Sequence, residues 1–389
     1  MKRIIMIFTL LLLVTSTVFA TGTNTEEAER MDQELEDYYE ETMQPEYEIV
    51  KARIVEIPLD ETKEDRPDVP IQSDRRYQHI KIELISGSHK GEVYTVQNII
   101  EMINPYKLIF KPGDKMILRM FEDEEGKIYS LQIAEKMREQ YVYVAVISFL
   151  VLLAIIGGKH GVKSVLSLVF TGCIIVFVLV PMILKGYNPI ISSTLICIVT
   201  TVVTLLLIVG RNKKTVSAIL GTIIGLMIAG FVVFIIGNAS QLTGLSGEEA
   251  QMLAYIPQKS FLDFKGILYA GILIGALGAI MDVTVSVASA MHEIETVHPN
   301  ISTKELIKSG LNVGRDIMGS MSNTLILAYT GGALHLMLLF NAFNLSFTEI
   351  INMDMIASEV IRAIAGSTGL ILAIPLTAII SGFNRIKKA

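Results

Sequence analysis

The sequence predicts a membrane-embedded all-α helical bundle of about seven transmembrane helices, with a small extracytoplasmic β-barrel or sandwich on its N-terminal side. Three observations carry that expectation. Hydrophobic residues make up 51% of the 389, and they gather in uncharged runs near the ~20 residues that a bilayer crossing requires. The charge is split between two regions. Thr21 to Glu139 holds 28 acidic against 16 basic side chains, net -12, whereas Gln140 to the end holds 11 against 15, net +4. The acidic region also carries short alternating runs of the kind that form half-buried strands. Three segments follow: a leader at 1–20, an acidic extracytoplasmic domain at 21–139 that is mostly β from 47, and a polytopic membrane domain at 140–389.

Lys2 and Arg3 precede the apolar run Ile4 to Phe19, with Val18 and Ala20 where a signal peptidase takes small side chains. The pattern is a secretory signal, cleaved or retained as an anchor, and either outcome places residue 21 onward outside. Thr21 to Gln44 reads as an acidic solvated spacer or a weak amphipathic helix. Five strands are expected at 47–57, 77–85, 92–97, 115–121 and 127–133. In the second, Ile80, Ile82 and Leu84 alternate with His79, Lys81 and Glu83. Turns are marked at 86–91, 111–114 and 124–126, and Pro58, Pro67 and Pro70 make 58–74 a flexible insertion. Five short strands suit a small OB-like barrel or a sandwich. Such barrels often bind nucleic acid, but a net charge of -12 repels phosphate, so the expected partners are the lipid bilayer and a membrane or extracytoplasmic protein.

Membrane spans are expected at 140–157, 164–184, 189–208, 215–236, 266–291, 319–340 and 358–382. The leader sends the first span from outside to inside. Lys159, Lys163, Arg211, Lys213, Lys214, Lys304, Lys308, Arg315, Arg385, Lys387 and Lys388 then fall in cytoplasmic segments, against Lys185, Lys259 and Lys265 outside. The excess of positive charge inside agrees with the leader and places the C-terminus in the cytoplasm. Cys173 and Cys197 both lie in apolar runs and read as small core hydrophobes.

The fifth span carries Asp282 within an otherwise apolar helix. A carboxylate near mid-membrane costs about 2.5 to 3.5 kcal/mol on insertion scales, so it ordinarily faces a bundle interior or a wet cavity. Asp282, Ser286, Ser289 and Glu293 share one helical face, and Gly271, Gly275 and Gly278 add notches for a second helix. Two readings stand: an ion- or proton-linked polar path, or a hydrogen-bonded acid that joins helices. Asn323 lies at a depth close enough to meet Asp282 if their helices adjoin, while Arg362 lies ~15 Å or more from that level. Arg362 therefore pairs with Glu359 or snorkels outward, with an anion-binding role as the sharper alternative. Ser193, Cys197, Thr201 and Thr204 form a stripe that packs against neighbours or lines a pore. The polar sixth span, with Gly331-Gly332, is expected to be discontinuous. Ser302 to Met318 is expected as an amphipathic helix on the inner membrane surface, placed to act as a gate.

No enzyme signature is met. His292-Glu293 would need histidine at 296 to form a zinc-protease pair, where Thr296 stands. No catalytic residue, metal ligand or cofactor is expected. The run Gly275 to Glu293, GALGAIMDVTVSVASAMHE, is followed by GRDIMGSMSNTL at Gly314 to Leu325. Together they resemble the YibE/F-like family of bacterial multi-pass membrane proteins, over residues 140 to 384. The resemblance implies a location in the bacterial cell membrane and no particular activity, and it directs attention to Asp282, Asn323 and Arg315. The expected function is a permease for a small solute or ion, with Asp282, Ser286, Ser289 and Asn323 as binding residues and Arg315 and Arg362 at a gate or interface. The alternative is a non-transporting scaffold or subunit whose outer domain binds a partner protein.

Overall fold

A computed structural model describes residues 47–123, 125–256 and 262–384. The leader, the 21–44 spacer, Lys259 and the basic residues Arg385, Lys387 and Lys388 lie outside the described residues. The chain divides into two compact units between Val151 and Leu152.

The first unit is built on five antiparallel strands: β1 (Tyr47–Asp60), β2 (Arg75–Leu84), β3 (Val93–Glu101), β4 (Lys115–Glu122) and β5 (Ile128–Lys136), in the order β3-β2-β1-β4-β5. β1 pairs with β4 over its first half and with β2 further along. Irregularities on either side of Glu56 bend it. That bend curls the sheet until its edge strands β3 and β5 approach each other, giving a nearly closed barrel rather than a sandwich. The expected alternation holds, and Val50, Ile54, Ile80, Ile82, Leu84, Leu118 and Met120 fill the interior. At the turn 111–114, Gly113 takes φ +87°, a left-handed conformation that a side chain would strain.

Two polar side chains lie inside this core because each is fully engaged. The Gln78 amide donates to Phe110 O at 3.1 Å and accepts from Phe110 N at 3.1 Å, while Asn98 Nδ2 donates to Leu108 O at 2.6 Å. They anchor the 104–114 loop. The 58–74 stretch is folded onto the barrel, not a free insertion. Arg76 Nε and Nη2 both donate to Oδ2 of buried Asp74, at 3.0 and 2.9 Å, and its Nη1 donates to the carbonyls of Thr62 and Glu64.

The second unit is helical. α1 (Glu139–Ile174) runs through a π-helical turn into α2 (Val180–Leu184). It is followed by α3 (Pro189–Ile208), α4 (Lys213–Ala239), the short α5 (Glu248–Met252), α6 (Phe264–Val297), α7 (Thr303–Gly332), α8 (Leu334–Ala342), α9 (Phe347–Asn352) and α10 (Asp354–Phe383). Among the described residues five helices are long and apolar enough to cross a membrane, or six if the bent α7–α8 pair counts as one span. The difference from seven lies in Glu139–Leu184. Its 46 residues would measure ~70 Å as continuous helix against a ~30 Å hydrocarbon core. The helix is broken at Gly158, whose φ of 53° and ψ of -131° are not helical.

α4, α6 and α10 form the heart of this unit. A Cβ at position 225 would lie 2.8 Å from Ala373 Cβ and 3.0 Å from Ile280 Cγ2, and one at 369 would lie 2.7 Å from Gly225 O. Glycine alone lets these backbones come so close. Thr222 and Thr284 bond each other at 2.7 Å across the same contact. The 302–318 segment is not a separate surface helix. A capping box of Ser302 and Glu305 starts α7 there, and Gly310 and Gly314 dock it against Met291 of α6 and Ile374 of α10. In α3 the Ser193, Cys197, Thr201 and Thr204 stripe is buried. Thr201 bonds the Cys197 carbonyl at 2.7 Å and Ser167 of α1 donates to Thr204 at 2.7 Å, so the stripe packs helices together. Cys197 is a core residue, whereas Cys173 is exposed on α1.

Two predictions follow from this packing and charge arrangement. Gly225→Ala should destabilise the protein by about 1–3 kcal/mol through overpacking. Gly278→Ala should not, because a Cβ there meets nothing within 4 Å. Thermal unfolding in detergent compares the two, and equal midpoints would contradict the packing described. On the barrel, His89 bonds Glu92 at 3.2 Å and the Gly126 carbonyl at 3.1 Å. The Glu92 hydrogen bond holds the imidazole pKa above its ordinary value. A raised folded-state pKa stabilises below the unfolded value of about 6.5, and that contribution is lost as pH rises through the folded pKa. NMR titration should show the His89 pKa falling in Glu92→Gln; no change would remove Glu92 as the cause.

Candidate functional site

Asp282, Ser286, Ser289 and Glu293 share one face of α6, as their spacing requires. The opposite face supplies the core residues Ile280, Met281, Val283, Thr284, Val287, Ala288 and Met291. The polar face is turned away from that core. Asp282, Ser286 and Glu293 are exposed and Ser289 is half-buried. The Ser286 hydroxyl donates to the Asp282 backbone carbonyl at 2.8 Å, so it serves its own helix and leaves the carboxylate alone. The face continues through Gly271, Gly275 and Gly278. A side chain at 271 or 278 would meet nothing within 4 Å, and one at 275 would meet only the Tyr329 hydroxyl at 3.2 Å.

α7 packs against α6, with Gly310 beside Met291 at one end and Tyr329 beside Gly275 at the other. That antiparallel register sets Asp282 level with the turn containing Ser320 and Asn323. Asn323 and Arg315 are both exposed, and no hydrogen bond joins Asn323 to Asp282 among the described residues. The structure brings these two to one level without direct contact. α10 runs parallel to α6, with Gly366 beside Ala276 and Gly369 beside Ile280. Arg362 is therefore about ten residues, or ~15 Å, from the level of Asp282.

Arg362 belongs to a second polar region. Its Nη1 pairs with Glu359 Oε1 at 2.9 Å, one helical turn earlier on α10. The pair lines a cavity of about 810 Å³ together with Tyr329, Gly332, His335, Glu248 and Glu249. A neighbouring cavity of about 400 Å³ shares Tyr329, Ala333 and Glu359 and adds Ser367. Both open beside the joint between α7 and α8, where the chain bends by 56°. Gly331 and Gly332 lead into that bend, and α8 begins after it with no side-chain cap. Three residues that line these cavities carry buried polar atoms with no hydrogen-bond partner among the described residues: Arg362 Nε, Tyr329 Oη and Ser367 Oγ. Unpaired buried groups are costly, and a cluster of them marks a place built to meet something else.

Sequence reasoning located the break through its glycine pair and gave Arg362 two readings, pairing with Glu359 or snorkelling outward, of which the pair is present. It missed Tyr329, His335, Glu248 and Ser367 as members of one region, because they come from four elements spread along the chain from Glu248–Met252 to Asp354–Phe383.

The helical region, residues 145–387, matches the family described as YibE/F-like protein, and residues 45–136 match the YibE/F family N-terminal domain. No curated protein and no solved structure matches the chain. With both parts of one family present in succession along the chain, the protein belongs to the YibE/F-like family.

Proposed function

We propose that this chain is a permease-like transporter of a small solute or ion in a bacterial cell membrane, with the β domain outside and the C-terminus in the cytoplasm. The observation that carries the reading is the 56° break between α7 and α8 beside a cavity that holds a charged pair. At membrane depth, non-helical backbone is tolerated only where it is buried in protein or lines a water-filled cavity, and interrupted helices are where transporters place their sites.

In this reading Asp282 is the proton- or cation-responsive carboxylate. Ser286, Ser289 and Asn323 orient what approaches it, and Arg315 and Arg362 act at the two gates. A charged group in the middle of a span is costly unless water or protein meets it, and the open Asp282 face leaves room for either.

A second reading, a membrane scaffold whose outer domain binds a partner protein, draws on the barrel seam. β3 and β5 leave a cleft of about 540 Å³ between their edges, lined by Gln97, Asn98, Tyr106 and Gln132. An extended segment of a partner could add there as a strand.

Two expected outcomes separate the readings. Asp282→Asn should abolish pH-dependent flux in proteoliposomes by at least about ten-fold, the scale of losing one charge-assisted contact, while the protein still inserts and stays monodisperse. Unchanged flux and unchanged cellular phenotype would sink the carboxylate-linked permease. Deleting residues 21 to 135 behind the retained leader should leave flux in place, whereas a scaffold would lose its co-purifying partner.

A further inference from the structure

We infer that the 102–110 loop of the barrel rests on the bilayer, with Ile103, Tyr106 and Ile109 seated among lipid headgroups beside the start of α1. The inference goes beyond the permease reading and does not depend on it. Every residue it uses belongs to the unit that ends at Val151.

The loop leads from β3 toward β4 and leaves apolar side chains uncovered. Ile103 is 54% exposed, Tyr106 57% and Ile109 40%. The backbone that presents them is held in place. Phe110 is buried in the barrel, and Asn98 and Gln78 bond the carbonyls of Leu108 and Phe110. A single exposed apolar residue is ordinary on a protein surface, but three on one short anchored loop mark a contact surface.

What covers them follows from where the chain goes next. The Tyr106 hydroxyl donates to the Glu135 carboxylate at 3.0 Å and accepts from Arg138 Nη2 at 3.0 Å. Lys136 Nζ donates to the Ile109 carbonyl at 3.5 Å. These bonds tie the loop to the last residues before α1, which starts at Glu139. From Tyr141 to Phe149 every side chain of α1 is exposed, so the helix leaves the barrel without packing on it. Its apolar length is sufficient to cross a membrane. Tyr141 lies only ~5 Å of helix beyond Arg138. A headgroup layer is ~5–8 Å deep, so a loop bonded to Arg138 stands at headgroup level. Tilt of the helix brings it closer still.

The loop's chemistry suits that layer. Tyrosine is favoured there because it joins an apolar ring to a polar tip. In Tyr106 the tip is held by Glu135 and Arg138 while the ring stays open. The acids bordering the loop are already paired: Glu101 with Arg75, Asp114 with Lys136 and Glu135 with Arg138. Lys107 and Lys111 are left to meet lipid phosphate.

The chain contains no tryptophan, so one introduced indole reports its own surroundings. The test places Ile103→Trp and, separately, Tyr129→Trp as full chains in phosphatidylcholine liposomes, with and without lipid brominated on the acyl chain just below the headgroup. Tyr129 is also exposed, but it lies on β5 at ~30 Å of strand from Arg138. Emission from the indole at 103 should move to shorter wavelength and fall about two-fold or more on the brominated lipid, while the indole at 129 is unaffected. Ile109→Trp should behave as Ile103→Trp does, and it carries the test if Ile103→Trp fails to stay monodisperse. Absence of quenching at 103 and 109, or equal quenching at 129, would overturn the inference. Shielding of the indole at 103 from aqueous acrylamide without quenching by lipid would put protein over the loop and overturn it too. Flux is not part of this readout, so failure of the permease reading would leave the result standing.

Discussion

Close approach of three helix backbones is the constraint on which the rest of the helical unit depends. Lipid tails are as apolar as leucine, so helices in a bilayer gain little by merely burying side chains. Packing at short range must supply the association instead. Gly225 on α4 and Gly369 on α10 provide it, with Ile280 of α6 fitted between them. Once α6 is seated by Ile280, Thr284, Val287 and Met291, its opposite face has to look outward. Asp282 and the open glycines Gly271 and Gly278 occupy that face. The placement of the acidic residue is thus a consequence of which side of α6 the glycines of α4 and α10 can receive.

The same device docks α7, where Gly310 and Gly314 admit Met291 and Ile374. Its effect ends at the other extremity of the helix. Beyond Tyr329 the chain meets Gly331-Gly332 and bends by 56°. Two cavities open there, and among their lining residues Tyr329 of α7 and Arg362 and Ser367 of α10 hold buried polar atoms without a partner among the described residues. Two polar regions result, one around Asp282 and one around Arg362, ~15 Å apart along the parallel pair α6 and α10. The register of this pair fixes the spacing between the two regions.

In the β unit the corresponding constraint is β1, which serves two partners and bends at Glu56 to do so. That bend brings β3 and β5 together and creates both the interior and the seam. Buried polar groups then decide which loops belong to the barrel. Gln78 and Asn98 hold the 104–114 loop, and Arg76 with Asp74 holds the proline-rich 58–74 stretch. Strand boundaries were legible because Ile80, Ile82 and Leu84 alternate with charges. The clamping of 58–74 was not, since a buried arginine reads in the sequence as one more surface charge.

The sequence by itself determined what local periodicity and composition can determine. It placed the five strands, the apolar runs, the shared face of Asp282, Ser286 and Ser289, the discontinuity at Gly331-Gly332 and the short-range pair of Arg362 with Glu359. Each depends on neighbours within a turn or two of the chain. Tertiary structure alone decided which face of α6 is covered, that 302–318 continues into α7, and that Tyr329, His335, Glu248 and Arg362 line one cavity. Those outcomes depend on how closely backbones approach across the bundle. A glycine written in one helix does not say which residue of another helix will fill the space it leaves.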